Sequence, residues 1–292
     1  MIAVERCVIC ESEISRNTTG LVAPFLAERI WRRKAFAVQV ARCGNCGFIF
    51  FNPRLEDHEA KLLYDDYRSK PYQQMRFHHE PWYTEAFNRS LSDEKIMVSR
   101  RELLQSIVTE HAGPAAIDTI LDFGGDQGQL IQDLAAAGKY VYDISGVEKR
   151  PGIVGISDFE GCLARRYDLI VCSNVLEHVA FPQKLVSQMR QLAHPGTLIY
   201  LDAPAESPFA FSSIAKRIAQ MLIVCATRLH DALAILRPSA IYLMHEHINF
   251  FSPKSLATLA ERLDFQVIAS GQYGMNGPLL GGSCIWCLAR LK

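Results

Sequence analysis

The sequence lacks an excess of charge of either sign, since 31 lysines and arginines balance 31 aspartates and glutamates in 292 residues. Without a basic patch, nucleic-acid binding is disfavoured, and we expect no nucleic-acid partner. It also lacks a long apolar run: Ile218 to Thr227 lies between Arg217 and Arg228 and is far short of the roughly 20 residues that a membrane span needs. The first residues do not read as a secretion signal. We therefore expect a cytoplasmic protein without a transmembrane helix.

Cysteine is present in an odd number, nine, which does not suit a disulfide framework and indicates a reducing compartment. Four of these cysteines form two Cys-x-x-Cys pairs, Cys7 with Cys10 and Cys43 with Cys46. Four thiolates at this spacing are typical of a closed, tetrahedral structural zinc site. We expect Zn2+ there in an architectural role, because four protein ligands leave no open position. Four unrelated buried cysteines are the alternative.

Three regions of the chain differ in pattern. Residues 1–52 hold the cysteine pairs and predict a small zinc ribbon. Residues 53–113 mix charged and aromatic side chains at helical spacing and predict a helical connector or cap. In residues 114–292 short apolar runs alternate with amphipathic stretches, which is typical of an α/β fold with a mostly parallel sheet. A long amphipathic segment at about 206–240 interrupts this alternation and predicts a helical lid.

The most informative motif is a glycine loop after the predicted strand Thr119–Phe123. The loop, Gly124-Gly125-Asp126-Gln127-Gly128, is expected to lead into a helix from Gln129 to Ala137. Backbone amides in such a loop, beside the positive end of a helix, can hold an anionic part of a small ligand. Asp143, about twenty residues further on, ends the second strand and can accept hydrogen bonds from a ribose diol. Together they indicate a small-ligand site with a ribose contact.

These residues resemble the class I S-adenosylmethionine-dependent methyltransferases, whose first motif reads acidic-x-Gly-x-Gly-x-Gly. Asp126 replaces the middle glycine here and could face the ammonium group of the cofactor. The segment Asn174–Val179 and a final hairpin, Phe265–Ala269 with Ser283–Leu291, match the family too, whereas a nicotinamide-binding fold is the competing interpretation. The resemblance implies S-adenosylmethionine as cofactor and a Rossmann-like α/β fold with a seven-stranded sheet. The cofactor-binding residues that it implies are Asp122, Gly124, Gly125, Asp126, Gly128, Asp143, Asp158, Phe159 and Asn174.

Two segments offer candidate catalytic groups. Methyl transfer is a displacement at carbon, so it needs a base only where the acceptor must lose a proton. His178 follows the fourth strand at the carboxyl edge of the sheet, where ligands bind in open α/β folds. In the second segment, Glu246 beside His247 could hold the imidazole in one tautomer and raise its basicity. Helix packing for the first segment and a polar loop for the second are the alternatives.

Together with the four-cysteine module, these segments are similar to the nucleotide-sugar C-methyltransferases of deoxysugar biosynthesis. That resemblance implies that His178, Glu246 and His247 serve in proton abstraction next to a keto group, although those enzymes continue for a further domain beyond the length of this sequence. We expect a small-molecule acceptor that is linked to a sugar. An RNA methyltransferase with a zinc ribbon, a lipid or quinone methyltransferase and a non-catalytic binding module are the alternatives. The methylated atom and the oligomeric state stay open.

Overall fold

Two β-sheets organise the computed structural model, which describes residues 1–67, 69–90, 94–112, 117–227, 236–274 and 283–292. The first elements in chain order are β1 (Ile14–Val22), α1 (Pro24–Trp31), β2 (Ala37–Cys43), β3 (Ile49–Asn52), α2 (Asp57–Tyr64), α3 (Lys70–His79), α4 (Glu85–Ser90) and α5 (Glu94–His111). Those that follow are β4 (Thr119–Phe123), β5 (Gly138–Tyr142), β6 (Val154–Ile156), α6 (Phe159–Leu163), β7 (Tyr167–Ser173), α7 (Pro182–Gln191), β8 (Ala193–Pro204), α8 (Phe211–Thr227), a 3-10 turn (Pro238–Ile241), β9 (Leu243–Met244), β10 (Asn249–Phe250), α9 (Pro253–Glu261), β11 (Phe265–Gly274) and β12 (Ser283–Leu291).

The larger sheet has seven strands in the order β11-β12-β8-β7-β4-β5-β6. β4 to β8 pair in parallel, whereas β12 is antiparallel to both of its neighbours. The α/β fold with a mixed seven-stranded sheet is thereby confirmed, together with its closing hairpin at the edge. Strand order reverses between β4 and β7, and in open α/β sheets ligands bind outside the carboxyl ends of the strands at such a reversal.

Helices cover both faces of this sheet. On one face, buried side chains of α5 such as Leu104 and Ile107 share a core with Val141 of β5. On the other face, Val186 of α7 and Leu256 of α9 pack in a second core. Because parallel strands need cover on both sides, the near-continuous apolar sequence of β7 fits its central position.

The smaller sheet has five strands in the order β10-β3-β2-β1-β9. β1, β2 and β3 form an antiparallel meander, and β9 and β10 add to its two edges from residues 243–250. The sheet is therefore not contained within the predicted ribbon of residues 1–52. Strands of two residues are too short to leave a periodic pattern, so the sequence gives no sign of this addition. The proposed division into domains otherwise stays a prediction.

The helix predicted from Gln129 to Ala137 is wrong. The chain there forms successive tight turns, in which the Ile131 amide bonds the Gly128 carbonyl at 3.2 Å and the Leu134 amide bonds the Ile131 carbonyl at 3.2 Å. These bonds close over three residues, so an α-helical ladder over four does not develop. The glycine loop therefore leads into turns and not into a helix N-terminus, and the backbone amides available to an anionic group there belong to the turns.

The predicted lid segment contains α8, whereas residues 228–235 of that segment lie outside the described residues. Arg217 of α8 turns inward and its Nη1 lies 3.0 Å from Nε2 of His245. In the described parts of the chain, no helix combines the length and the apolar character that crossing a bilayer requires.

Candidate functional site

Two features shape the glycine loop at the end of β4: neighbouring side chains lie very close to its glycines, and some of its residues have the left-handed backbone conformation. A Cβ atom on Gly125 would lie 2.2 Å from Cγ of Asp122, and one on Gly124 would lie 2.6 Å from a methyl group of Val175. Asp126 has a φ of 51°, in the left-handed region that favours glycine and that aspartate tolerates better than most residues. The aspartate in place of the family's middle glycine is therefore compatible with the same loop conformation.

Asp122 presents an unsatisfied carboxylate at this loop. The residue is 1% exposed, and its Oδ2 has no hydrogen-bond partner among the described residues. Burial, opposed by the charge of Arg100, raises the pKa of Asp122 to about 7. A cationic group bound here would supply the missing partner. A carboxylate oxygen without a partner, beside two glycines that leave no room for a Cβ atom, fits the ammonium-bearing half of S-adenosylmethionine.

Asp143 directly follows β5 and holds the loop. Its Oδ2 accepts a hydrogen bond from the Asp126 amide at 2.9 Å, and its Oδ1 accepts one from the Ser145 amide at 2.7 Å. Each carboxylate oxygen retains a second lone pair, so the group can still accept from a ribose diol. Asp143 thus orders the loop and stands at the expected edge of the cofactor site.

Asp158 and Phe159 follow β6, at the outer end of the same edge. The Asp158 carboxylate caps α6 by accepting a hydrogen bond from the Gly161 amide at 2.7 Å, and Phe159 lies edge-on to Tyr142 at 6.4 Å between ring centroids. The contact of these two residues with adenine stays a prediction. The structure shows in addition that Asp158 caps a helix.

An arginine that the sequence did not indicate enters this edge from α5. Arg100 donates to the Ser173 hydroxyl, lies 3.5 Å from Asp202 Oδ2, and in the orientation that satisfies both groups donates to the Asn174 amide oxygen at 3.1 Å. Asn174 itself adopts a φ of 54° after β7. Asp122, the glycine loop, Asp143 and Asn174 are thus brought to one edge, with Arg100 as a fixed cation.

His178 and His247 meet beyond the end of β7, with ring centroids 4.8 Å apart. Nδ1 of His178 lies 3.2 Å from the Glu246 carbonyl oxygen. Because a carbonyl only accepts, this nitrogen carries the proton and Nε2 is left with its lone pair. Burial, with the charge of His247, lowers the pKa of His178 to about 3. His178 is therefore a neutral imidazole with a defined tautomer.

His247 has the opposite electrostatic environment. Its Nδ1 lies 3.0 Å from Oε2 of Glu206, with Glu177 and Glu246 nearby. Burial lowers the pKa of His247, but the hydrogen bond to Glu206 and these carboxylates outweigh it and raise the pKa to about 9. At neutral pH the ring is therefore a cation. The expected Glu246–His247 hydrogen bond is not found, because Glu206, 41 positions away, takes that place.

The Glu246 side chain faces the helical region instead. Its Oε1 accepts hydrogen bonds from the Tyr72 hydroxyl and, at 2.7 Å, from Nη1 of Arg76, both on α3. Despite its burial, the pKa of Glu246 is lowered by Arg76 and Tyr72. Glu246 thus fixes α3 against the site, and its backbone carbonyl, not its carboxylate, orients His178.

Two buried polar atoms at the histidines lack partners in the described part of the chain, Oε2 of Glu177 and the hydroxyl of Tyr64. The Tyr64 ring lies edge-on to His178 at 5.8 Å. Burial raises the pKa of Glu177 to about 7. One ligand-type atom from each of Glu177, His178 and His247 lies within 4.8 Å of the others. Buried polar atoms without partners beside an oriented imidazole indicate that a polar ligand could form hydrogen bonds here.

The four predicted zinc ligands converge at the edge of the smaller sheet. Their sulfur atoms lie within 4.8 Å of one another, with Cys7 to Cys46 at 3.7 Å and Cys10 to Cys43 at 3.4 Å. A tetrahedral zinc with Zn–S bonds of about 2.3 Å places its sulfurs about 3.8 Å apart. The donor set therefore fits zinc, which stays a prediction.

A family model described as a methyltransferase domain matches residues 96–270, more than half of the chain. The chain belongs to this family. By family and fold it is a class I S-adenosylmethionine-dependent methyltransferase.

Over the aligned residues, curated relatives are about a quarter identical to this methyltransferase. It is 26% identical to a ubiquinone biosynthesis O-methyltransferase of Aromatoleum aromaticum over 138 residues, which are 42% of this chain and 59% of that protein. It is 29% identical to the protein of that name from Paraburkholderia xenovorans over 142 residues, 42% and 60% of the two chains. With that of Bordetella pertussis it shares 24% over 187 residues, 58% and 70%. The methyltransferase thus spans less than two thirds of the length of the first two.

Solved structures are similar at lower identity. Magnesium protoporphyrin IX methyltransferase from Synechocystis PCC 6803, with bound S-adenosylhomocysteine, shares 13% identity at a TM-score of 0.47, over 80% of this chain and 99% of that one. The N-methyltransferase NodS of Bradyrhizobium japonicum shares 14% at a TM-score of 0.41, over 68% and 98%.

Gly125→Ala should weaken cofactor binding at least tenfold, because the added Cβ meets the Asp122 carboxylate at 2.2 Å. Calorimetry with S-adenosylhomocysteine measures the change. Gly274→Ala is the matched control, because its Cβ would meet no atom of the described residues within 4 Å, and the affinity of this variant should be unchanged. Equal affinity in both variants would remove the loop from the cofactor site.

Purified methyltransferase should contain one zinc per chain, and chelation should lower its melting temperature, because the four thiolates would lose their common ligand. Elemental analysis and a thermal melt with and without chelator measure this. Cys162→Ser is the control, since this buried cysteine stands outside the cluster and its variant should keep the metal. Protein that retains no metal when purified in zinc-containing buffer would refute the site.

Proposed function

We propose that this methyltransferase methylates an oxygen or carbon atom of a small molecule after His178 has removed a proton from it. The observation that carries the proposal is the hydrogen bond between His178 Nδ1 and the Glu246 carbonyl, which leaves Nε2 as an acceptor beside the unpartnered oxygens of Glu177 and Tyr64. A neutral imidazole with a fixed tautomer can take up a proton, although its pKa of about 3 makes it a weaker base than a group with a pKa near 7. An amine acceptor that is already neutral would need no such group.

His247 complements this base as a cation. When an acceptor gives up its proton, negative charge develops on its oxygen, whether as an alkoxide, a phenolate or the oxygen of an enolate. The imidazolium of His247 is held by Glu206, and its ring centroid lies 4.8 Å from that of His178. It would stabilise the negative charge on the acceptor. In the sequence-based hypothesis His178, Glu246 and His247 all serve in proton abstraction. The raised pKa of His247 favours the electrophilic role for this residue and leaves proton removal to His178.

For the cofactor, the residues proposed are Asp122 and the glycine loop at the amino-acid end and Asp143 at the ribose. When bound, S-adenosylmethionine would supply an electrophilic methyl group on a positively charged sulfur, which would leave as a neutral thioether. The protein's part is then orientation and proton removal, because the displacement itself needs no protein nucleophile. Arg100 would neutralise acidic groups at this edge.

We propose a hydroxyl-rich acceptor, a sugar or nucleotide-linked sugar. Two groups beside the histidines, Glu177 and Tyr64, each have a buried oxygen without a hydrogen-bond partner in the described part of the chain, and hydroxyl groups would supply those partners. A phenolic quinol is the second candidate, because the curated relatives are named as ubiquinone biosynthesis O-methyltransferases. Both acceptors require proton removal, so the mechanism above serves either.

An acceptor screen tests the proposal. Zinc-replete enzyme with labelled S-adenosylmethionine is offered a nucleoside-diphosphate 4-keto-6-deoxysugar, the corresponding hydroxy sugar and a prenylated catechol. We expect transfer to a sugar, and a loss of at least a hundredfold in kcat for His178→Gln, because the general base is removed. His247→Ala should abolish turnover with little loss of cofactor affinity.

Transfer to the catechol alone would overturn the sugar assignment but not the mechanism. Full turnover in His178→Gln would overturn the mechanism. His194→Gln is the control, because that histidine lies at the opposite end of β8, where it contacts Asp168.

The fall of kcat at alkaline pH, the alkaline limb of the pH profile, should depend on Glu206. Since Glu206 raises the pKa of His247 to about 9, turnover should persist to that pH and fall as the ring loses its proton. In Glu206→Gln the pKa of His247 should drop, moving this limb at least one pH unit lower in a plot of kcat against pH. Glu261→Gln, a change at the exposed last residue of α9, should leave this limb in place. A limb that does not move in Glu206→Gln would argue against His247 as the cation.

A further inference from the structure

A single buried arginine joins the smaller sheet to the two histidine segments. Arg54 follows β3 and is fully buried. Its guanidinium donates to five neutral oxygen atoms, those of Ala180 (2.8 Å), Phe51 (2.8 Å), Ile248 (3.3 Å) and Val179 (3.3 Å) on the backbone and Oδ1 of Asn249. Four of these five acceptors belong to residues 179–180 and 248–249.

Asn249 extends the same network. Its side-chain Nδ2 donates to the carbonyls of Leu176 and Val179, each at 2.7 Å. The backbone amides of Ile248 and Asn249 both donate to the Glu177 carbonyl, at 2.9 and 3.1 Å. The loop that carries His178 is therefore bonded along residues 176–180 to Asn249, Ile248 and Arg54.

Arg54 has no opposite charge as a partner in the described part of the chain. Burial alone acts on its pKa, which it lowers to about 9. A buried charge without a counter-ion is costly even when it is hydrogen-bonded, and an apolar side chain of similar volume is often as stable or more so. The guanidinium is the group that can bridge several carbonyls at once in a fixed planar geometry. The Arg54 guanidinium is therefore better suited to aligning backbone segments than to increasing the stability of the fold.

We propose that Arg54 and Asn249 are positioning residues that hold the His178 loop against the His247 segment. The role rests on the function proposed above, in which the two imidazoles act on one acceptor. His178 lies between Leu176 and Val179, whose carbonyls the network holds, and His247 precedes Ile248, whose carbonyl Arg54 holds. Among the described residues, no hydrogen bond or ring contact joins either positioning residue to the two imidazoles, so each acts through the backbone.

The test measures the two histidines directly. The zinc-replete enzyme carries an isotope label in its histidine rings and is saturated with S-adenosylhomocysteine. A pH titration followed by NMR gives the pKa of each histidine, and the variants His178→Gln and His247→Gln assign the two resonances. In Arg54→Met and Asn249→Leu we expect the pKa values of His178 and His247 to approach each other by at least one unit, because both depend on the present packing of the two rings. Where an acceptor is available, kcat should fall at least tenfold with KM for S-adenosylmethionine within twofold.

The matched control is Arg290→Met. Arg290 also donates to backbone carbonyls, those of His111 and Ala112 at 3.2 and 3.1 Å, but on β12 away from the histidines. A merely structural role for Arg54 predicts that both arginine variants melt lower while the histidine titrations stay unchanged. That result would overturn the proposal.

Milder variants keep the test decisive if Arg54→Met does not fold. Arg54→Lys retains the charge but can reach fewer carbonyls, and Asn249→Ser shortens the amide, so both should give intermediate shifts in the histidine pKa values. Unchanged titrations in both folded variants would also overturn the proposal. The titration needs no acceptor, so failure of the proposed function, seen as full activity in His178→Gln, is separable from failure of the positioning role.

Discussion

One short segment, residues 243–252, is bonded on both of its sides, and the geometry of the acceptor site depends on this constraint. β9 and β10 within it pair with β1 and β3 of the smaller sheet. Between them, the amide of Ile248 donates to the Glu177 carbonyl beyond the larger sheet. His247 is thereby fixed from the side of the N-terminal sheet and from the side of β7 at once. A loop bonded on only one side would leave the distance between the two imidazoles free to vary.

The same constraint gives two identical side chains different chemistry. For His178, burial and the neighbouring charge of His247 outweigh Glu246 and Glu206, so its pKa is low. His247 lies against the carboxylate of Glu206, which outweighs burial, so its pKa is high. Two titratable groups whose surroundings separate their pKa values can serve as base and cation at one pH. Exchange of the two roles would require a carboxylate beside His178 at hydrogen-bond distance.

Local patterns sufficed for part of this fold. β4, the glycine loop, β7 and the final hairpin follow from short apolar runs with glycine and proline boundaries, and the capped start of α9 follows from Ser252 and Pro253. Pairing over long sequence distances did not follow. Glu206 meets His247 across 41 positions and Arg54 meets Asn249 across 195, and no residue pattern encodes those contacts. The residues after Gly128 show that a local pattern can also mislead. Their apolar side chains have helical spacing, but successive tight turns also bury them.

The N-terminal region supplies charge as well as structure to the acceptor site. Glu246 is buried, and Arg76 and Tyr72 of α3 are its partners. Without α3 its carboxylate would be a buried charge with no counter-ion, which is strongly destabilising. The cysteine cluster is tied to the same unit, because the Ser252 hydroxyl, at the cap of α9, donates to the Cys46 carbonyl at 2.9 Å. Residues of both knuckles also share a core with β4 and α9. A zinc ion there would influence catalysis through the position of residues 243–252, not through contact with the reacting groups.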